Sequence, residues 1–169
     1  GIELLKKYAY IAKRRLEKVN SNTSKDKKDF YVSLKVLLGD ARNIDLLNLP
    51  KIDYCITSPP YWNMLSREGF ETQRARKERS LDVYYSKNPL DLANIEDYYE
   101  FLDELASIFR KVYNVIKPGR YLTVIVKNIK KKGRIYPLAW DLGRKLGEFF
   151  ELKDERIWCQ DNAKLAPYG

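Results

Sequence analysis

The sequence contains no histidine and only two cysteines, Cys55 and Cys159, among its 169 residues. Without histidine a Ser-His-Asp triad is excluded, and zinc sites and histidine general bases are disfavoured. Two distant cysteines have neither the spacing of a metal site nor the number that a disulfide framework requires. The sequence therefore predicts no metal site and no disulfide scaffold.

Long apolar runs are also missing. No stretch approaches the roughly 20 apolar residues that a membrane-spanning helix needs, and no secretory signal sequence is visible. Together with the low cysteine content, these features predict a cytoplasmic location. The eight glycines are scattered, so the sequence has no glycine-rich loop of the kind that cradles a nucleotide cofactor.

The composition is that of a folded, basic protein. Hydrophobic residues make up 44% of the chain and aromatic residues 13%, while 32 Lys and Arg against 23 Asp and Glu give a net charge of +9. The length suffices for one core, so we predict a single domain over residues 1–169. A basic excess fits a polyanionic partner, with nucleic acid first. The alternative is a basic protein without such a partner.

The most informative stretch is 52–62, which reads I-D-Y-C-I-T-S-P-P-Y-W. Alternating apolar residues predict a buried strand. The strand must stop at the two prolines, which cannot donate to a sheet ladder, and Ser58 is held extended by the proline that follows it. A stiff loop at the strand's carboxyl end thus presents the hydroxyl of Ser58, the carbonyl of Pro59 and the ring of Tyr61.

A hydrophobic strand followed by T-S-P-P-Y-W resembles the S-P-P-Y catalytic motif of amino-group DNA methyltransferases, which methylate N4 of cytosine or N6 of adenine with S-adenosylmethionine. The resemblance implies an α/β fold with a Rossmann-like methyltransferase sheet flanked by helices. It assigns catalysis to Ser58, Pro59, Pro60 and Tyr61. An exocyclic amine is a weak nucleophile, and acceptors on its N–H groups free the lone pair, while Tyr61 stacks on a base rotated out of the duplex. The alternative is a proline-stiffened loop without chemistry.

Two earlier segments resemble cofactor-binding segments of the same family. Glu3 precedes a helix predicted over Leu5 to Val19 and matches the acid that binds the ribose hydroxyls of S-adenosylmethionine. Gly39-Asp40-Ala41 follows a strand predicted over Phe30 to Leu38 and resembles the segment that contacts the cofactor's adenine. The resemblance assigns Glu3, Asp40, Ala41 and Thr57 to the cofactor. The alternatives are a glutamate at a helix start and an ordinary turn.

Basic residues cluster in two places after the catalytic motif. The first is an insertion predicted over residues 63–93, and the second is Lys127 to Arg134, which follows a strand predicted over Arg120 to Val126. Ligands of open parallel sheets lie at the strands' carboxyl ends, so we expect these clusters beside the catalytic loop, against DNA phosphates. The predicted DNA contacts are Trp62, Arg67, Arg74, Arg76, Lys130, Lys131 and Lys132. The alternatives are a solvated charged loop and a solubilising turn.

Further elements support the fold more than the substrate. A helix capped by Asn94 is predicted from Ile95 to Lys117-Pro118-Gly119. A short helix is predicted over Ile44 to Leu49 and another from Ile135 or Tyr136 to Leu146. A strand is predicted over Phe149 to Trp158. Neither cysteine follows a proline, so the Pro-Cys nucleophile of C5-cytosine methylases is absent.

The family's glycine-rich cofactor segment and the first strand before it have no counterpart in the sequence. We therefore expect a fragment or one half of a split enzyme, with weak or no catalysis by the chain alone. A complementary chain or self-association would supply the missing strand. S-P-P-Y favours N4 of cytosine over N6 of adenine as the methylated atom, as in restriction-modification enzymes. The alternatives are an RNA base-amine methyltransferase and a nucleic-acid-binding fragment without catalysis.

Overall fold

Helices and short strands alternate along the chain in the computed structural model, which describes residues 1–23, 33–62, 74, 77–78 and 86–159. The chain divides into two compact units, Gly1–Lys51 and Ile52–Gly169. The described strands form three two-stranded sheets. The fold is thus mixed α/β, with two small parallel sheets and one antiparallel pair, and a larger Rossmann-like sheet stays a prediction.

The first unit contains a short parallel strand pair and one long helix. Its elements are β1 (Ile2–Glu3), α1 (Lys6–Thr23), β2 (Leu37–Leu38) and a 3-10 helix (Ala41–Leu46). The parallel register pairs Glu3 with Leu38, so both strands end at the same edge. The helix predicted over Leu5 to Val19 is confirmed.

Two predictions for the first unit differ from the structure. Strand β2 is shorter than the predicted Phe30 to Leu38, of which residues 30–32 lie outside the described part. The short helix begins at Ala41 instead of Ile44, because Asp40 caps it by accepting the amide N–H of Arg42 at 2.9 Å. An aspartate is among the best residues for that position.

The second unit is built around two packed helices. Its elements are β3 (Ile52–Thr57), a 3-10 helix (Leu92–Asn94), α2 (Tyr98–Val115), β4 (Ile116–Val124), β5 (Ile129–Lys131), β6 (Arg134–Tyr136) and α3 (Leu138–Leu146). Apolar side chains of α2 and α3 recur at helical spacing and pack against each other. Phe101, Leu138 and Leu142 are the most completely buried of them.

Helix α2 begins later than predicted. Asp97 caps it by accepting the amide N–H groups of Tyr99 and Glu100, both at 2.9 Å, so the predicted cap at Asn94 is wrong. The side chain of Asn94 instead donates to the carbonyl oxygens of Ser86 and Asn88, at 3.1 and 2.7 Å. Asn94 therefore closes the loop before the helix.

Strand β3 is confirmed, but its predicted burial is wrong. β3 and β4 pair in parallel, with Thr57 opposite Val124. Tyr54 and Ile56, which share one face, are 53% and 59% exposed. The alternation of the side chains follows the strand period, yet no described element covers that face.

A tight hairpin holds the second basic cluster. β5 and β6 pair antiparallel with Lys131 opposite Arg134. The two residues between them, Lys132 and Gly133, have φ angles of 50° and 76°, as a type I′ turn requires. The basic cluster is therefore a structured ribbon with Lys132 at its tip.

The strand predicted over Phe149 to Trp158 is not formed. Residues 151–158 have no assigned secondary structure, and Ile157 and Trp158 are 83% and 81% exposed. A strand requires backbone partners, and none of the described strands pairs with this segment. Its charged run E-L-K-D-E-R also offers little apolar surface to bury.

Candidate functional site

The loop after β3 brings two hydroxyl groups together. Ser58 Oγ and the Tyr61 hydroxyl lie 3.0 Å apart, and either can donate the hydrogen bond. The Ile125 amide donates to the Thr57 carbonyl at 2.9 Å. The backbone hydrogen bonds between β3 and the segment of β4 therefore end where the loop begins. Ser58 is exposed, Pro59 is buried and Tyr61 is half-buried. Pro59 thus anchors a loop whose hydroxyls face outward.

The hydroxyl pair can accept a hydrogen bond from a ligand. A serine hydroxyl has one proton and two lone pairs, so the contact with Tyr61 leaves Ser58 Oγ with capacity for an amine N–H. Holding Tyr61 through its hydroxyl also fixes the orientation of its ring. The local geometry therefore fits the acceptor role predicted for Ser58.

A lysine from the neighbouring strand end approaches the same tyrosine. Lys127 Nζ lies 5.6 Å from the centroid of the Tyr61 ring, within the range of a cation–π contact. Lys127 follows β4, which pairs in parallel with β3, so both residues come from adjacent carboxyl ends. A hydroxyl acceptor, an aromatic ring and a cation are thus brought together.

Trp62 belongs to the interior of the second unit. Its side chain is 4% exposed, and its indole N–H donates to the Ile95 carbonyl at 3.0 Å. Its ring centroid lies 5.3 Å from that of Tyr98 and 4.8 Å from that of Tyr136. These contacts enclose the Trp62 ring within the second unit, and the DNA contact predicted for it stays a prediction.

Tyr98 and Asp141 were not predicted as part of this region. The Tyr98 hydroxyl donates to Asp141 Oδ2 at 2.7 Å, which joins the start of α2 to α3. Burial raises the pKa of Tyr98 well above its usual range, and the hydrogen bond to Asp141 raises it further. The phenol therefore stays protonated. The high tyrosine content was the only indication in the sequence, and it does not identify Asp141, which lies far from Tyr98 along the chain.

The hairpin lysines differ in their surroundings. Lys130 and Lys132 are exposed, whereas Lys131 is half-buried and its Nζ lies 3.8 Å from the centroid of a Trp62 ring. Of the predicted arginines, Arg74 Nε contacts Glu78 Oε1 at 3.2 Å on an exposed surface. Arg67 and Arg76 lie outside the described residues.

The predicted cofactor residues Glu3, Asp40 and Ala41 lie in the first unit. Glu3 Oε1 accepts the Leu5 amide N–H at 2.9 Å, which is the helix-start contact raised as the alternative from the sequence. Asp40 Oδ1 accepts the Arg42 amide, and its Oδ2 lies 2.9 Å from an Arg42 guanidinium nitrogen. The Gly39 amide donates to the Glu3 carbonyl at 3.0 Å, so Glu3 and Asp40 flank one sheet edge.

Comparisons with known proteins give one structural likeness. No protein-family profile matches the sequence, and no curated protein matches it. A crystal structure of a putative DNA modification methylase from Thermus thermophilus is similar, with 23% identity and a TM-score of 0.43 over 66% of this chain. The chain spans 38% of the length of that protein.

The described part of the chain contains neither a membrane-spanning helix nor a metal-binding cluster. No helix there is long and apolar enough to cross a bilayer. No group of three or more Cys, Asp or Glu side chains there is placed to hold a metal ion. The Ser58–Tyr61–Lys127 group, hereafter the loop triad, is the candidate site because it brings a hydroxyl acceptor, an aromatic ring and a cation together.

Proposed function

We propose that this chain carries the base-binding part of an S-adenosylmethionine-dependent methyltransferase that acts on an exocyclic amine in DNA, N4 of cytosine in particular. The observation that carries the proposal is the 3.0 Å contact between Ser58 Oγ and the Tyr61 hydroxyl within S-P-P-Y. It supports the proposal because the motif's acceptor and its stacking ring are held in one orientation before any substrate binds. The motif's resemblance to the N4-cytosine enzymes supports the choice of base.

In the proposed reaction a base leaves the duplex and stacks on the exposed part of the Tyr61 ring. Base–aromatic stacking contributes about 1–3 kcal/mol, which offsets part of the cost of unstacking. The exocyclic amine donates its two N–H groups to Ser58 Oγ and to the Pro59 carbonyl oxygen. These acceptors draw the nitrogen toward tetrahedral geometry, so that its lone pair is no longer delocalised into the ring.

The methyl group would come from S-adenosylmethionine, which carries it on a positively charged sulfur. The residues of the first unit proposed to hold this cofactor are Glu3, Asp40 and Ala41, and the role of Thr57 stays a prediction from the sequence. Glu3 fits a ribose-binding role because a carboxylate at a strand's carboxyl end can accept hydroxyl protons. Both oxygens of Asp40 are engaged by Arg42, so we propose that the Asp40–Ala41 backbone contacts the adenine.

DNA phosphates are proposed to contact the basic side chains around the loop. Lys127 contacts the Tyr61 ring, and we propose that its ammonium group binds a phosphate next to the flipped nucleotide. Lys130 and Lys132 extend the positive surface along the hairpin. Arg67, Arg74 and Arg76 remain proposed DNA contacts of the insertion. Charge of this kind positions the nucleic acid without reading its sequence.

The test is methyl transfer by the full chain under single-turnover conditions, with the chain in excess over the acceptor. Labelled S-adenosylmethionine is supplied with unmethylated DNA or with unmodified tRNA, and the nucleosides are separated by mass spectrometry. We expect N4-methylcytosine in DNA at low yield, because the sequence has no glycine-rich cofactor segment. N6-methyladenine would correct the base, and label in tRNA alone would favour an RNA methyltransferase. DNA binding without label in either acceptor would favour a binding fragment without catalysis.

A further inference from the structure

The two faces of the hairpin have different surroundings. Side chains alternate along a strand, and accordingly Ile129 is 3% exposed, Lys130 is exposed and Lys131 is half-buried. Lys131 therefore lies on the face that packs inward, next to a residue of the core. Lys132 lies in the exposed turn. Neighbouring lysines that look equivalent in the sequence are thus placed differently.

The inward lysine contacts the residue that follows the loop triad's tyrosine. Lys131 Nζ lies 3.8 Å from the centroid of a Trp62 ring, and tryptophan is the strongest cation–π partner among the aromatic residues. The ring is also held by the Ile95 carbonyl at 3.0 Å and by Tyr98 and Tyr136. The ammonium group is therefore one of several contacts that fix Trp62.

The backbone conformation of Trp62 links these side-chain contacts to the conformation of the loop. Its φ angle is 46°, in the left-handed region that bulky residues rarely adopt and that persists only where the surroundings hold it. The peptide bond that precedes Trp62 joins it to Tyr61. Contacts that hold Trp62 in this conformation thereby set the direction in which Tyr61 presents its ring and hydroxyl.

We propose that Lys131 is a positioning residue, which anchors the hairpin on Trp62 and so fixes the loop triad, whereas Lys132 at the tip contacts DNA phosphate. The division replaces the uniform DNA-binding role predicted for these lysines. It rests on the proposed function for its effect on methyl transfer. The effects on Trp62 and on DNA binding are independent of that chemistry.

The experiment first follows the emission of Trp62 in the full chain. Trp140 and Trp158, which are 68% and 81% exposed, are changed to Phe so that only Trp62 emits. Relative to this single-tryptophan protein, we expect K131M to change the emission intensity or maximum, and K131R and K132M to leave both unchanged. K131Q replaces K131M if the latter fails to fold. An unchanged spectrum in K131M would overturn the positioning role.

The second measurement is DNA affinity as a function of salt, with unmethylated duplex DNA as the probe. Each lost phosphate contact lowers the slope of log K against log salt by about 0.9. We expect that decrease for K132M and an unchanged slope for K131M. K13M serves as the matched control, because Lys13 is an exposed lysine of α1 without a role in the site. Equal decreases for K131M and K132M would overturn the division.

The third measurement separates this proposal from the proposed function. At saturating DNA we expect K131M to lower the single-turnover rate about 5- to 10-fold, as loss of a partly buried cation–π contact would, and K131R to recover most of it. Absence of methyl transfer in the wild type would defeat the proposed function alone. The emission and the salt slopes would still decide the role of Lys131.

Discussion

Ser58 Oγ lies 3.0 Å from the hydroxyl of Tyr61, with only two prolines between the two residues. The prolines restrict their own φ angles and the conformation of Ser58, so little conformational freedom remains to be lost when a ligand binds. A site that is held in its productive geometry before binding avoids part of the entropic cost of catalysis. The hydroxyl pair is accordingly the first place to test.

Changing Ser58 to Ala should lower the rate of methyl transfer about 10²-fold, the usual effect of removing one hydrogen-bonding group at a reacting atom. The affinity for S-adenosylmethionine, measured by calorimetry, should change far less. Y61F keeps the stacking ring and should cost about 10-fold or less. S107A is the control, since Ser107 is exposed on α2. Equal losses of rate and cofactor affinity in S58A would contradict the catalytic role.

Changing Gly133 to Ala should destabilise the hairpin through its backbone alone. Gly133 has a φ angle of 76°, and a Cβ there meets no atom within 4 Å, so the cost is conformational, about 1 kcal/mol. Hydrogen exchange of the hairpin amides should accelerate accordingly, about five-fold. G39A is the matched control, because a Cβ at Gly39 also meets nothing within 4 Å and no positive φ occurs there. Similar exchange in both variants would refute the turn assignment.

Removing the Tyr98 hydroxyl should lower the free energy of unfolding by about 1–2 kcal/mol. Y98F keeps the buried ring but removes the hydroxyl that donates to Asp141 Oδ2 at 2.7 Å. Urea unfolding measures the change. Y99F is the control, since Tyr99 is 61% exposed and its loss should fall within about 0.5 kcal/mol. If both variants lose the same stability, the hydrogen bond contributes nothing measurable.

Cys55 should react slowly with iodoacetamide. Burial raises the pKa of its thiol, and the thiolate is the reactive form. Its labelling rate should therefore rise with pH only above the range of an ordinary thiol. Cys159 is exposed and provides an internal comparison by mass spectrometry. A Cys55 rate that reaches its plateau at or below the usual thiol pKa would contradict the effect of burial.

The sequence was sufficient for features that depend on neighbouring residues. The end of β3 and the loop that presents Ser58 and Tyr61 follow from two prolines, whereas the hydrogen bond between the two hydroxyls is shown by the structure alone. Helix α1 follows from apolar spacing. The start of α2 was misplaced because Asn94 and Asp97 are both good caps, and only the structure shows that Asn94 is engaged by the loop before it.

Features that depend on distant residues could not be predicted from local patterns. Lys131 and Trp62, which are in contact, lie 69 positions apart in the sequence. A run of basic residues gives no indication of which lysine faces inward. The predicted burial of Tyr54 and Ile56 was wrong for a related reason. Alternation predicts that a strand has a distinct apolar face, but not whether another element covers it.

The hairpin turn shows how charge and stability are in conflict at this site. A type I′ turn is most stable with Asn-Gly at its two central positions, whereas this chain has Lys132 at the first, with a φ angle of 50°. A lysine there gives up local stability of about 1 kcal/mol to place a cation at the tip. Replacing Lys132 by Asn would therefore make a more stable protein with one positive charge fewer, a substitution that a thermostability screen would favour and that would remove the phosphate contact proposed for Lys132.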